Sequence, residues 1–278
     1  MKNKHSDIQL GNSIGLIPAA GKASRLSPLP FSKELYPVGL FQPSGAQDLC
    51  PRPVCMNLLE HMRDAGVLKA YIILRRGKWD IPSYLHSGAA TGMDLAYLVT
   101  EDSHSVPYTL DQAYPFVKDA TVIFGFPDIL FSAGNAYAAL LEKHNRTGAD
   151  VVLGLFPVST ADSGWDMVDF NAAGRISNIT IKPAASRSRF TWIIALWTPL
   201  FTEFLHEQVR NKDLDTITGS GHETSELFIS SVIQKAIDHG LKVAGKAFSH
   251  GSCVDIGTAE GLKKALQSAL EEKNSEQP

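Results

Sequence analysis

Short runs rich in apolar and β-branched residues alternate with stretches whose apolar side chains recur every three or four positions. Residues 14–19, 70–74, 95–99, 121–124 and 151–156 have the first pattern and read as buried strands. Residues 54–65, 135–144 and 226–239 have the second; the first and last of these run into Gly66 and Gly240, which suit helix stops. Strand and helix in alternation predict an α/β fold, a doubly wound, mainly parallel mixed sheet whose ligands belong beyond the carboxyl ends of the strands. From Asp166 the texture changes. Two short extended pieces, 166–170 and 175–181, flank Asn171-Ala172-Ala173-Gly174, which reads as a hairpin turn and predicts a small subsidiary β-sheet. The sequence shows no internal repeat and no low-complexity tract.

Composition narrows the picture. With 278 residues, 44% of them hydrophobic, the chain can bury a core of its own, and a single domain spanning 1–278 is expected. A net charge of −3 argues against a general nucleic-acid or anionic-membrane surface, so positive charge used on a ligand must be local. Cys50, Cys55 and Cys253 form no Cys-x-x-Cys pair and leave an odd thiol, as expected in a reducing compartment. The polar amino-terminal stretch has no apolar signal core and no run is long enough to span a bilayer, so a cytoplasmic location is expected. The nine histidines lack metal-ligand spacing.

The chemistry concentrates in residues 14–38. The strand 14–19 runs into a loop of small residues, Ala19, Ala20 and Gly21, followed by Lys22, Ala23, Ser24, Arg25 and then Lys33. Little side-chain bulk lets backbone N–H groups face phosphate oxygens, while Arg25 and Lys33 add positive charge. Gly21-Lys22-Ala23 lacks the hydroxyl and upstream glycine of a P-loop, and no G-x-G-x-x-G follows the strand. Taken alone, the loop would also suit an ordinary strand-to-helix turn with solvated cations.

The segments Gly21-Lys22-Ala23-Ser24-Arg25-Leu26, Pro28 and Lys33-Glu34-Leu35-Tyr36-Pro37-Val38 resemble the opening pattern of the sugar-phosphate nucleotidyltransferases. Arg52-Pro53, Asp128, Lys182-Pro183 and Val254-Asp255-Ile256-Gly257-Thr258 follow in the family's order. The resemblance covers nearly the whole chain. It implies a Rossmann-like nucleotidyltransferase fold with a nucleotide-binding half (13–160) and a sugar-phosphate-binding half (161–260), in which 192–197 would return as a strand to the main sheet. Residues 39–51 would be an inserted loop and 271–278 a frayed tail. The resemblance further implies a nucleoside triphosphate, dTTP or UTP, and a sugar 1-phosphate as partners, Mg2+ as cofactor, and a homo-oligomer. Arg25 would hold the leaving β- and γ-phosphates, Lys33 the α-phosphate and Lys182 the acceptor phosphate, with Asp128 and Asp255 on the metal. Ala19 to Ser24, Thr100 and Thr109 would touch the nucleotide, and Ile181 and Trp192 the sugar.

The chain also departs from that pattern. Asp128 follows Gly125-Phe126-Pro127, two residues further from the glycine than usual. Ile181 stands where many relatives have a glutamate, Thr100 where they have glutamine, and Thr109 where the base-reading turn has glycine. Base and acceptor preference are therefore open. A non-catalytic nucleotide-sugar-binding homologue and a glycosyltransferase stay as alternatives; Asp213-Leu214-Asp215 formally matches the latter's Asp-x-Asp but lies in a polar stretch after a helix.

Overall fold

The computed structural model describes residues 13–42, 47–101, 103–159, 164–218 and 226–275. In order, the chain forms β1 (Ile14–Ala19), β2 (Pro37–Phe41), β3 (Cys50–Pro53), α1 (Cys55–Asp64), β4 (Lys69–Arg75), α2 (Asp80–Leu85) and β5 (Asp94–Thr100). Then come α3 (Val106–Asp111), α4 (Tyr114–Val117), β6 (Val122–Gly125), β7 (Ile129–Ser132), α5 (Ala136–Thr147), β8 (Val151–Pro157), β9 (Met167–Phe170) and β10 (Ile176–Thr180). The last are β11 (Phe190–Trp197), α6 (Pro199–Thr218), α7 (Ile229–Asp238), β12 (Val243–Ala247), β13 (Ser252–Asp255) and α8 (Ala259–Ser275).

The main sheet has nine strands. β5, β4, β1 and β6 lie side by side and parallel, and β11 runs antiparallel between β6 and β8, with β12 parallel to β8 beyond. Each strand alternates its burial between two layers. Ile17 and Ala19 of β1 and Ile72 and Leu74 of β4 join α1 and α5 on one face; Leu16 and Ile73 join α3, α4, α6 and α7 on the other. The first and last of the expected helices stop where expected and for the expected reason. After α1, Gly66 takes φ +90° and Val67 N–H bonds the Met62 carbonyl at 3.0 Å; after α7, Gly240 takes φ +90° and Leu241 N–H bonds that of Ala236 at 2.9 Å.

Four expectations need correction. The hairpin does form, with Gly174 at φ +79° and the Asn171 side-chain oxygen accepting N–H groups of Ala173 and Arg175. It is not a separate sheet, however: β9 pairs with β11 at Thr191–Met167, so the hairpin extends the main sheet, and the separate small sheets are β2–β3 and β7–β13. Residues 39–51 are not simply a loop, because their two ends belong to the antiparallel β2–β3 pair. The third helix begins at Ile229, since Phe228 is still extended with ψ 143°. Asp213-Leu214-Asp215 lies within α6 rather than after a helix. Residues 1–12 of the polar amino-terminal stretch and residues 276–278 lie outside the described residues.

None of the three cysteines forms a disulfide, and burial pushes the Cys55 thiol up to about 12, so it behaves as a core residue of α1. No described helix is long and apolar enough to cross a membrane.

Strand order fixes where a ligand belongs. From β1 the chain builds outward through β4 and β5, then crosses back to place β6 on the other side of β1. Loops leaving the carboxyl ends of β1 and β6 therefore diverge, and a crevice opens between them.

Candidate active site

That crevice is a cleft of about 410 Å3, within the usual range for small-molecule sites. Its floor is built from four segments far apart in sequence. Ala20, Gly21, Lys22 and Arg25 come from the loop after β1, Lys33 from a short helical turn, Asp128 from the loop after β6, and Asp255 from the end of β13. The Lys33 ammonium bonds the Asp128 carboxylate directly, and Arg25 Nη2 lies 3.6 Å from Asp255 Oδ2. Ile256 N–H donates to the Asp128 carbonyl at 3.1 Å, which ties the tail segment to the β6 loop.

Gly257 shows how tightly the groups converge. A β-carbon there would sit 2.8 Å from Asp255 Oδ1, 3.2 Å from Arg25 Nη2 and 3.5 Å from Asp128 Oδ2. Burial, and then the Asp128 charge, hold the Asp255 carboxyl above its ordinary value. Burial pulls the Lys33 ammonium down, but the Asp128 and Glu34 carboxylates outweigh it and leave it raised, so Lys33 stays charged. Beneath the loop lies a second pair that the sequence did not single out. Lys78 Nζ is 2.8 Å from both Glu34 oxygens, with side chains only 7% and 2% exposed.

A model of the nucleotidyl transferase family matches residues 14–272. The chain belongs to that family. It is 23% identical over 257 residues to the glucose-1-phosphate thymidylyltransferase of Streptomyces antibioticus; the match takes in 92% of this chain and spans 66% of the relative's length. Its fold is shared with a structure from Bacillus anthracis assigned as a glucose-1-phosphate thymidylyltransferase and solved with sucrose (TM-score 0.73, 20% identity, 92% and 95% of the two chains). It is shared also with a UDP-glucose pyrophosphorylase complexed with UDP-glucose (TM-score 0.71, 16% identity, 94% and 99%). The sugar-phosphate nucleotidyltransferase resemblance read from the motifs is thereby borne out at the level of family and fold.

Within this nucleotidyl transferase fold the remaining expected residues divide. Lys182 and Trp192 line the same cleft as Arg25 and Lys33. Thr109 lines it too, but its hydroxyl is engaged at the start of its own helix α3, donating to the Ser105 carbonyl at 2.9 Å and sharing a bond with Ser103 Oγ. Thr100 ends β5 and does not line the cleft, whereas Ser103, His104 and Ser105 do. Ile181 is also absent from the lining, while the next side chain, Lys182, reaches it. Ala19 is packed in the core at 1% exposure, and Ala23 and Ser24 lie outside the main cleft.

The Lys182 end of the cleft holds a network that motif reading missed. Asp166 Oδ1 accepts the Lys182 N–H at 3.2 Å, its Oδ2 accepts from Ser230 Oγ, and Ser230 Oγ accepts from Trp192 Nε1 at 2.9 Å. Lys182 itself has φ +38°, and its Nζ lies 4.9 Å above the Phe228 ring. The only signals in the sequence were an aspartate just before a strand and a serine within an amphipathic helix, neither of which is specific.

The donor set fits magnesium, which takes one or two protein carboxylates and leaves its other positions to water and phosphate oxygens. Asp128 and Asp255 supply that pair. Among the described residues no cluster of three or more His, Cys, Asp or Glu side chains forms a metal cage.

Proposed function

We propose that the chain joins a sugar 1-phosphate to a nucleoside triphosphate, dTTP or UTP, to give a nucleotide sugar and pyrophosphate. The convergence of Arg25, Lys33, Asp128 and Asp255 at one mouth of a cleft that Lys182 also lines supports this reading most strongly.

The reaction needs no general base. A phosphate monoester has a second pKa of about 6, so the attacking oxygen is already anionic at neutral pH. It forms a bond to the α-phosphorus as the bond to pyrophosphate breaks, and the pyrophosphate departs with the electron pair. The obstacle is repulsion between anions, which positioned charge removes. Small-residue backbone at Ala20 and Gly21 admits the triphosphate, and Arg25 binds its β- and γ-phosphates. Lys33, kept protonated by its carboxylate neighbours, stands at the α-phosphate. Lys182, whose backbone is pinned by Asp166, holds the acceptor phosphate. Asp128 and Asp255 would hold magnesium, whose charge when bound further offsets the repulsion. Trp192 and Phe228 give the acceptor end an aromatic wall.

A matrix of four nucleoside triphosphates against several sugar 1-phosphates, read by pyrophosphate release, tests the reading. At least one pairing should turn over, and Asp128→Asn should bind that triphosphate yet lose roughly a hundredfold or more in kcat. Triphosphate binding without pyrophosphate release from any pairing would favour a non-catalytic binder and overturn the proposal.

A further inference from the structure

Behind the phosphate loop lies a second, open cavity of about 360 Å3, to which no role attaches so far. At about 30 Å3 per water it has room for roughly a dozen waters, or for a small polyanion with part of its hydration shell. Four cations line it, Lys22, Lys33, Arg75 and Lys78, against one acid, Asp80. That acid is already engaged, accepting the Ser32 N–H at 2.6 Å, the Ser32 hydroxyl at 2.7 Å and the Ile81 N–H at 3.1 Å. Lys33 and Lys78 are paired with Asp128 and Glu34, but no ion pair joins Lys22 or Arg75 to a described residue.

Arg75 carries the argument. It ends β4, whose Leu74 lies in register with Ala19 of β1, so it sits beside the strand end that launches the phosphate loop. Its Nε is buried and has no hydrogen-bond partner. A guanidinium with no acceptor for its buried Nε and no carboxylate partner keeps its full charge, and the part of it that lines the cavity suits an anionic oxygen. The cavity is also continuous in charge with the main cleft, because Lys22 and Lys33 line both.

We propose that this cavity is a second anion site that receives inorganic pyrophosphate, with Arg75 and Lys22 as its principal ligands and Lys33 handing the anion from one cavity to the other. The identity of the anion rests on the triphosphate reading of the loop; the existence of the site does not. Removal of pyrophosphate through a separate cationic chamber would keep it from competing with the next triphosphate for Arg25.

The test is calorimetric titration of the intact chain with inorganic pyrophosphate, with orthophosphate and with dTTP or UTP. Arg75→Gln should weaken pyrophosphate binding roughly tenfold or more, as loss of a charge-assisted bond does, while triphosphate affinity changes less than twofold. Arg75→Lys, which keeps the charge without the Nε donor, should fall between the two and carries the comparison if the glutamine variant does not fold. Unchanged pyrophosphate affinity, an equal loss for both ligands, or orthophosphate bound as tightly as pyrophosphate would each overturn the assignment. If no pairing of substrates turns over but pyrophosphate still binds in an Arg75-dependent way, the proposed activity fails and the anion site stands.

Discussion

Replacement of Lys78 by methionine probes the support beneath the phosphate loop. The Lys78 ammonium gives both of its observed hydrogen bonds to Glu34, and both side chains are almost fully excluded from solvent. Methionine fills similar volume but leaves the Glu34 carboxylate buried without its cation. Breaking a buried pair from one side costs about 3–5 kcal/mol, and at about 2–4 °C per kcal/mol for a chain of somewhat smaller size the melting temperature should fall by roughly 10 °C. The double variant Lys78→Met/Glu34→Leu removes the stranded charge and should recover most of that loss. The pH dependence has a definite sign. Burial already holds the Glu34 carboxyl above its ordinary 4.5, and losing Lys78 removes the largest influence pulling it down. An acid whose folded pKa is raised binds its proton in the folded state first, so the variant gains stability as pH falls through that raised value toward 4.5. Its deficit against the wild type is therefore greatest at neutral pH and shrinks in acid. Thermal unfolding of the three proteins at several pH values measures all of this. A deficit under about 1 kcal/mol, a deficit flat with pH, or a double variant no better than the single one would refute the reasoning.

Three further perturbations report on neighbouring parts of the site. Ala23 adopts φ +54°, a left-handed conformation that costs an alanine about 1–2 kcal/mol; Ala23→Gly should therefore keep or raise stability by up to about 1 kcal/mol despite glycine's freer unfolded chain, and a clear drop in denaturant midpoint would contradict the loop geometry. Asp255 is raised by burial and by the Asp128 charge, so the metal-free protein should gain stability as pH falls through that raised value toward 3.8. Asp255→Asn should flatten this slope in denaturant titrations, and an unchanged slope would remove Asp255 as its source. Ser230→Ala takes away the donor to Asp166 and the acceptor of the Trp192 N–H. The expected outcome is a stability loss of about 1–3 kcal/mol together with a several-fold rise in KM for the sugar phosphate at constant triphosphate KM; equal changes in both KM values would show a merely structural role.

The periodicities legible in the sequence were those that a single element decides. Strand β1 begins and ends at the residues expected, and Gly66 and Gly240 stop their helices through the predicted left-handed geometry. Hairpin 166–181 was legible as a hairpin because Asn171 and Gly174 act locally, but which strand it would join depended on β11, and nothing local encodes that pairing. The same division runs through the site. Arg25, Lys33, Asp128 and Asp255 could be named because each sits in a motif, and their convergence follows once β6 is placed beside β1. Thr100 and Ile181 do not line the cleft, and position in a motif does not say which way a side chain leaves the backbone at a strand end. Glu34–Lys78, Asp166–Ser230 and the orphaned Arg75 Nε were invisible for another reason. They are pairwise or missing contacts over separations such as 44 and 64 residues, with no spacing to recognise.

These hidden contacts share a function in the architecture. Lys33 is flanked on one side by Ser32, bonded to Asp80, and on the other by Glu34, bonded to Lys78. One anchor, Lys78, lies in the turn after β4 and the other, Asp80, opens α2, so the ammonium is presented by a segment fixed on both sides rather than by a free loop. In the structure that ammonium is engaged by Asp128. Under the proposed activity a triphosphate entering the cleft would compete for it, and the rigid mounting would make the exchange one of side-chain rotation rather than loop movement. Holding a cation in place before the substrate arrives is what electrostatic preorganisation requires. It also explains why a largely apolar strand end should tolerate two buried ion pairs close together: their cost in stability is offset by a site whose charges do not have to be assembled during the reaction.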